Sequence, residues 1–295
     1  MKNIDIKRLN SECILCLMNK YLKNIPENVS EELKVKYMQR VLSILSQADD
    51  NASAPEILEG IFRAQKNILG IKTSYTKIKH YYNQLMLSKK ADIKEEIETS
   101  ADSFKAALLY AMVGNYIDFG AMDTVSESKL HKLLSNINDI EVNIVEVENL
   151  RQEIIVAKKL VYLTDNCGEI VLDKLFIEQI KKLNHALKIT VIVRGKDILN
   201  DCTLTDAKEV GMQEIANVIS NGTAIGGTCL DKISAEAKDL IDTADVIISK
   251  GQGNFETLRF CGKNIYYLFL CKCEMLARRL NSPILKGMLL NDLRM

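Results

Sequence analysis

Tryptophan is absent from the 295-residue chain, and there are only three prolines. Few prolines and no long Gly/Ser tract argue against a disordered protein. No charge excess exists either, because 39 Lys plus Arg balance 39 Asp plus Glu. The basic footprint of a nucleic-acid binder is therefore missing. No window approaches the roughly 18 consecutive apolar residues that a membrane span needs. The opening Met1-Lys2-Asn3-Ile4-Asp5 lacks the apolar core of a signal peptide. A cytoplasmic protein without nucleic-acid or membrane partners is expected. Common nucleotide and esterase signatures are also lacking. No Gly-x-Gly-x-x-Gly follows the first expected strand, and no Walker-type loop or Gly-x-Ser-x-Gly elbow occurs.

What is present is apolar and periodic. Hydrophobic residues make up 47% of the chain, enough for a sizeable core or two. Eight cysteines occur, but a chain this long needs no disulfide staples. Residues 1–150 read as helix after helix. The expected helices open at Cys13, Glu32, Ser53, Tyr75, Ser103 and Glu127. Ser53-Ala-Pro-Glu56 has the form of a capping box. Residues 142–147 fit either a strand or a linker helix. Gly114-Asn-Tyr-Ile-Asp118 continues the fifth helix, and on a helix Asn115 and Asp118 would share a face. Cys13-x-x-Cys16 finds no second Cys/His pair and reads as two buried helix thiols.

Residues 151–295 alternate strand and helix. Expected strands are Leu160–Leu163, Ile189–Val193, Asn217–Ser220, Val246–Ser249 and Ile265–Leu270. A helix starts near Glu169, and others cover Asp206–Val210, Ser234–Ile241, Phe255–Phe260 and Glu274–Leu280. Right-handed crossovers make this a doubly wound, mostly parallel sheet. The expected fold is thus α/β, with a helical domain over 1–150 and a sheet domain over 151–295. Parallel strands put their carboxyl ends on one edge, where ligands bind. Asp165-Asn166, Arg194, Asn221-Gly222-Thr223 and Lys250-Gly251 all sit there, and Asp201 follows the second strand.

Two carboxylates, Asp165 and Asp201, with the Asn166 amide oxygen form an all-oxygen set. That set suits Mg²⁺ or Mn²⁺. Lys250 and Gly-rich turns would add a cation and backbone N–H donors for a phosphoryl group.

The segments Thr164-Asp-Asn-Cys-Gly-Glu-Ile-Val-Leu-Asp173, Val193-Arg-Gly-Lys-Asp-Ile-Leu-Asn-Asp201 and Ser249-Lys-Gly-Gln-Gly-Asn254 resemble the damage-control phosphatase family. That family was first catalogued as a domain of unknown function and includes proteins described as acidic-residue methyltransferases. Cys13-x-x-Cys16, Ser53–Glu56 and Gly114–Asp118 are similar to its compact prokaryotic branch. The resemblance implies a Rossmann-like domain joined to a helical one, and metal-dependent hydrolysis of small phosphate esters. It implies that Asp165, Asn166 and Asp201 hold one divalent ion, with Co²⁺ and Ni²⁺ as further candidates. Lys250 then contacts phosphate, and Asp118 faces the substrate. Asn115, Arg194, Asn221, Gly222, Thr223 and Asn254 complete the expected substrate and phosphate site, with Glu169 and Asp173 behind it. Asp165 and Lys250 are the expected catalytic pair, and either water or Asp165 attacks phosphorus. Where the family pattern has proline after Arg-Gly-Lys, this chain has Asp197, which removes a φ restraint from that loop.

The expected partner is a small phosphorylated metabolite, with the oligomeric state left open. Two other classes compete: an S-adenosylmethionine-dependent carboxyl methyltransferase, and a non-enzymatic metal or metabolite-binding module using Cys13 and Cys16.

Overall fold

The computed structural model describes residues 9–72, 74–119 and 125–295; Met1 to Asp5, read above for a leader, lie outside it. The chain divides into two compact units, Met1–Ser74 and Tyr75–Met295. This division by packing lies well before the change of pattern near residue 150.

The first unit holds α1 (Ser11–Lys23), α2 (Glu31–Ser46) and α3 (Ala54–Leu69). Asn10 caps α1 by accepting from the Glu12 and Cys13 N–H groups. Glu56 reaches back to the Ser53 N–H at 2.7 Å, the reciprocal half of a capping box. Leu17, Tyr21, Tyr37, Val41, Leu45, Ile57 and Ile61 form its core. The cysteine expectation needs correcting: Cys13 is half-buried and Cys16 is exposed. Position 16 falls on the outward stripe of α1, away from the Leu17–Tyr21 pair.

The second unit begins with α4 (Thr76–Thr99), α5 (Ser103–Gly114), α6 (Glu127–Ser135) and α7 (Ile144–Val156). The ambiguous 142–147 segment is therefore helical. A six-stranded sheet follows. Its strands are β1 (Lys159–Leu163), β2 (Lys188–Val193), β3 (Asn217–Ser220), β4 (Val246–Lys250), β5 (Ile265–Leu270) and β6 (Gly287–Asn291). Between them run α8 (Glu169–Leu183), α9 (Leu204–Glu209), α10 (Ala235–Asp242), α11 (Gln252–Leu258) and α12 (Glu274–Arg279). Strand order is β3-β2-β1-β4-β5-β6, parallel except for β6 against β5. The doubly wound expectation holds.

Strand β6 has no counterpart in the sequence reading. Gly287-Met-Leu-Leu-Asn291 contains no β-branched residue, so local propensity does not announce a strand. It forms because β5 offers an open edge, with Leu289 registered on Leu268.

Strand residues alternate between two covers. Leu160, Tyr162, Val191, Ile248, Tyr266 and Leu268 join one core with residues of α4, α5 and α8. On the other face, Phe255 of α11 packs edge-on against Tyr267, with ring centroids 5.0 Å apart. Strands β4 and β5 are buried along their whole length, as a sheet covered on both faces must be.

Helix α8 is the centrepiece of the first cover. Gly114 at the end of α5 permits the close approach: a Cβ there would lie 3.2 Å from the Glu169 Cα and 3.0 Å from Leu172. Phe176 of α8, with no exposed surface, packs on Phe104 of α5 at 5.3 Å between ring centroids. Phe176→Ala should cost about 3–5 kcal/mol of unfolding free energy in urea titration. A loss below about 1 kcal/mol would show that α8 does not anchor this core.

Candidate metal and phosphate site

Strand β1 lies between β2 and β4, so the chain reverses its direction of sheet growth there. Loops leaving β1 and β2 diverge at that point and open a crevice. The two loops are laced together. Asn166 bridges Asp201 in antiparallel fashion, Cys167 N–H donates to the Asn200 carbonyl, and Cys202 N–H donates to the Asp165 carbonyl, both at 2.8 Å. The adjacent Asp165 and Asn166 are thus brought together with the sequence-distant Asp201, and all three are buried.

Arg194 stands between the two aspartates. Its Nε donates to Asp201 Oδ2 at 2.7 Å, and its Nη2 lies 3.5 Å from Asp165 Oδ1. Nη1 donates to Asn254 Oδ1 at 3.1 Å, whereas Nη2 is a buried donor with no hydrogen-bond partner among the described residues. Burial pushes the Asp165 carboxyl well above its ordinary range, and Asp201, Glu169 and Asp118 push it further against the pull of Arg194. Burial likewise raises Asp201, offset by Arg194, to about 6. Negative charge is crowded here beyond what one guanidinium relieves.

Glu169, at the start of α8, organises the oxygen donors. Its carboxylate has no exposed surface and accepts from Asn166 N–H (3.2 Å), Asn166 Nδ2 (2.8 Å) and Asn115 Nδ2 (3.1 Å). Asn166 Nδ2 also donates to Asp165 Oδ2 at 2.7 Å. Both Asn166 amide hydrogens are then engaged, so its Oδ1 is turned outward with no hydrogen bond among the described residues. Gly168, at φ 79°, makes the turn into α8, and a Cβ there would lie 2.9 Å from Ile117.

Lys250 was expected to face a phosphate. The structure instead turns its fully buried ammonium to Glu169 Oε1 (2.7 Å), Asp173 Oδ1 (2.6 Å) and the Ala111 carbonyl (2.8 Å). Those three acceptors match the three donors of an ammonium group. Burial alone would lower its pKa, but Asp173 and Glu169 outweigh that and raise it. Burial pushes Asp173 to about 7 against the pull of Lys250. Tyr162 Oη donates to the same Asp173 Oδ1 at 2.7 Å.

Asn115 and Asp118 do not share a helix face, because α5 ends at Gly114 and the chain turns. Asn115, fully buried, donates to Asp165 Oδ2 at 3.0 Å and accepts from the Leu270 N–H at 3.0 Å. It therefore orients the site rather than meeting substrate. Asp118 is brought to the same edge and pairs with Lys272 Nζ at 2.5 Å.

The groups expected to cradle phosphate after β3 are engaged elsewhere. Asn221 Oδ1 accepts from Gly195 N–H and Thr223 N–H, each at 3.0 Å, and the Thr223 carbonyl accepts from Gly195 and Lys196. A Cβ on Gly195 would fall 2.4 Å from Gly222, so the β2 and β3 loops are clamped together. Asn254 is equally occupied, donating to the Thr164 and Lys250 carbonyls and accepting from Arg194 and Thr228.

Three contributors escaped the sequence reading. Lys272 lies two residues past β5, on the edge that carries the other polar groups, and that position is its signal. Lys79 and Asn83 interrupt the buried stripe of α4 formed with Tyr82 and Met86. Lys79 Nζ pairs with Asp197 at 2.9 Å and Asp206 at 2.7 Å. Asn83 Oδ1 accepts the Gly168 N–H at 2.7 Å. Asp197, in the place where the family pattern has proline, thus has an ion-pair partner on α4.

The donor chemistry fits a hard divalent cation. No three His, Cys, Asp or Glu side chains among the described residues are grouped to hold a metal. The set here is two carboxylates and one amide oxygen. Asp165 Oδ1, Asn166 Oδ1 and Asp201 Oδ1 accept no hydrogen bond among the described residues, and like-charge crowding favours a cation beside them.

Two substitutions probe this arrangement. Gly251 has φ 84°, and a Cβ there would lie 2.0 Å from Asp165 Oδ2. Gly251→Ala should displace that carboxylate and weaken Mn²⁺ binding roughly 10- to 100-fold, read by electron paramagnetic resonance. Unchanged affinity would mean that the contact does not position Asp165. Lys250→Met leaves Glu169 and Asp173 buried without their cation and should cost about 3–5 kcal/mol in denaturant unfolding. A cost under about 1 kcal/mol would leave the buried pair without structural weight.

The damage-control phosphatase ARMT1-like domain model matches residues 9–284. A damage-control phosphatase of Pyrococcus horikoshii is 32% identical over 285 residues, covering 94% of this chain and 95% of that protein. A damage-control phosphatase of Archaeoglobus fulgidus is 31% identical over 278 residues, covering 92% and 94%. The crystal structure of a DUF89 family protein from Pyrococcus horikoshii superposes with a TM-score of 0.80 at 27% identity, covering 97% of this chain and 99% of that one. With this match over nearly its whole length, the chain belongs to the damage-control phosphatase ARMT1-like domain family.

Proposed function

We propose that this protein is a metal-dependent phosphatase that hydrolyses small phosphate esters, damaged or side-product metabolites such as sugar phosphates. The observation that carries the reading is the lacing of the β1 and β2 loops. It brings together three oxygens, from Asp165, Asn166 and Asp201, that accept no hydrogen bond among the described residues, with Arg194 Nη2 3.5 Å from Asp165 Oδ1. Two relatives carry the name damage-control phosphatase, which favours hydrolysis over methyl transfer. The Cys13–Cys16 module has no third donor among the described residues.

Asp165, Asn166 and Asp201 would hold one divalent ion, Mg²⁺ or Mn²⁺ by their hard oxygen character, with Co²⁺ and Ni²⁺ as alternatives. Such an ion supplies Lewis-acid stabilisation of charge on phosphoryl oxygens. The protein's own part is preorganisation. Glu169 and Asn115 fix the Asp165 and Asn166 side chains before substrate arrives. Lys250 pairs with Glu169 from behind, at 2.7 Å. Arg194 Nη2, 3.5 Å from Asp165 Oδ1, has no hydrogen bond among the described residues and would be a donor available to a phosphoryl oxygen. No described helix is long and apolar enough to cross a membrane, and we place the enzyme in the cytoplasm with a small phosphorylated metabolite as its partner.

A panel of phosphate esters assayed with Mg²⁺, Mn²⁺, Co²⁺ and Ni²⁺ tests the reading. Phosphate release should disappear with EDTA, return with metal, and fall at least about 10³-fold in folded Asp165→Ala protein. Full activity in EDTA, or methyl transfer without phosphate release, would overturn it.

A further inference from the structure

Helix α5 meets the metal site at its carboxyl end. Asn115, just past that end, holds Asp165, and the Ala111 carbonyl accepts from Lys250. Helix α8 begins at the same place, with Glu169. The two helices pack along each other from there, Phe104 of α5 lying on Phe176 of α8. The other end of α5 is about 18 Å away, at 1.5 Å of rise for each of its 12 residues. A cavity of about 370 Å³ opens there, between the start of α5, the end of α8 and Arg151 of α7. That volume is at the small end of the range for small-molecule sites.

Gln179 is the unexplained residue in its lining. Leu172, Phe176, Gln179 and Leu183 recur at three- and four-residue spacing on the α8 stripe that faces α5. Gln179 is the one polar member. It is only 5% exposed, yet its carboxamide makes no hydrogen bond among the described residues. A buried amide without partners destabilises a fold unless something else bonds to it. The groups around it are mostly donors. Lys182 and Arg151 are in the lining, Arg151 lying over the Phe104 ring at 4.9 Å from its centroid. Asp102 is the single lining carboxylate, and both its oxygens are taken. Oδ1 accepts the Lys105 N–H at 3.0 Å, and Oδ2 accepts from Arg151 Nη2 at 2.5 Å. Two cations thus stand against one satisfied carboxylate. Glu148 and Glu98, which pair with Arg151 and Lys182 at 3.2 Å, are about half exposed and screened by water. The first turn of α5 adds the positive end of its dipole.

We propose that this cavity binds a small organic anion, a carboxylate or phosphoryl group on a short apolar body, at a site separate from the metal centre. The anion's oxygens meet Lys182, the Gln179 amide hydrogens and the first turn of α5. Its apolar body lies against Phe104 and Leu183. A bond from the Gln179 amide to a charged oxygen satisfies the group that the protein leaves without a partner. Nothing in this assignment depends on phosphate-ester hydrolysis at the metal centre.

The test uses the full-length, Mg²⁺-loaded protein and two probes. Benzoate stands for the carboxylate, and phenylphosphonate for a phosphoryl group that cannot be hydrolysed as an ester. Binding is followed by NMR at the Gln179 side-chain amide, identified by its absence from Gln179→Leu, and at the Phe104 backbone amide. At least one probe should shift both resonances saturably, and the one that does so assigns the anion class. Read at Phe104, Gln179→Leu should weaken that probe's binding about tenfold, and Lys182→Met about threefold or more. If Gln179→Leu fails to fold, Lys182→Met at its half-exposed position carries the comparison, with the Gln179 amide assigned sequentially. A Gln179 amide that neither probe moves overturns the site. So does an affinity at Phe104 that the folded variants leave unchanged, because the anion then sits elsewhere, as at the metal centre.

Discussion

The buried pairing of Glu169 with Lys250 is the constraint on which the site depends. A carboxylate with no exposed surface at the start of α8 is tolerable only if its charge is fully met. It is met by one ammonium, one backbone N–H and two carboxamides. These partners come from three places in the chain, Lys250 of β4, Asn115 at the end of α5 and Asn166 of the β1 loop, so satisfying Glu169 fixes the three relative to one another. The amide orientation of Asn166 follows as a by-product. With both its hydrogens bound to carboxylates, its oxygen has one direction left. A buried ion pair of this kind is weak evidence for stability, but here it explains geometry. It decides which atom of Asn166 faces the crevice.

In front of that pair the balance is reversed. Asp165 and Asp201 share one guanidinium, and Asp118 and Glu169 add to the negative field at Asp165. The site is overcharged by design of its loops rather than by accident of one side chain. Gly251 brings backbone against the Asp165 carboxylate where any Cβ would collide. Asn254 ties the ends of β1 and β4 together while holding Arg194. The machinery therefore separates into a satisfied layer behind and an unsatisfied layer in front. Function is read from the second and would be impossible without the first.

Much of this was legible in the residues because parallel strands impose a common edge. Once strands ending at Leu163, Val193 and Ser249 are recognised, convergence of Asp165, Arg194 and Lys250 is geometry. Strand β6 was not legible, because its Met and Leu residues carry no strand preference and only the free edge of β5 recruits them. The helical continuation through Asp118 failed for a related reason. Local spacing favours a helix, but the fixed partners of Asn115 and Asp118 pull the chain into a turn. Side-chain direction was the least legible quantity. Lys250, Asn221 and Asn254 lie where expected, yet each is engaged by neighbours that only the fold supplies.

Asp197 shows the same distinction from the opposite side. Loss of proline from the loop that carries Asp201 reads in sequence as lost rigidity. In the fold, Asp197 pairs with Lys79, which is also held by Asp206 and is itself almost wholly buried in the α4 stripe. Asp197 is largely exposed, so its own pairing is worth little, about 0–1 kcal/mol. The firmer restraint is Asp206, which accepts from the Thr203 N–H at 2.8 Å to cap α9 while accepting from Lys79. The loop is therefore pinned on both sides of Asp201 by one lysine from a helix more than a hundred residues earlier. A covalent restraint on φ has been replaced by a tertiary one, which acts only after the chain has folded and cannot be seen in the loop's own residues.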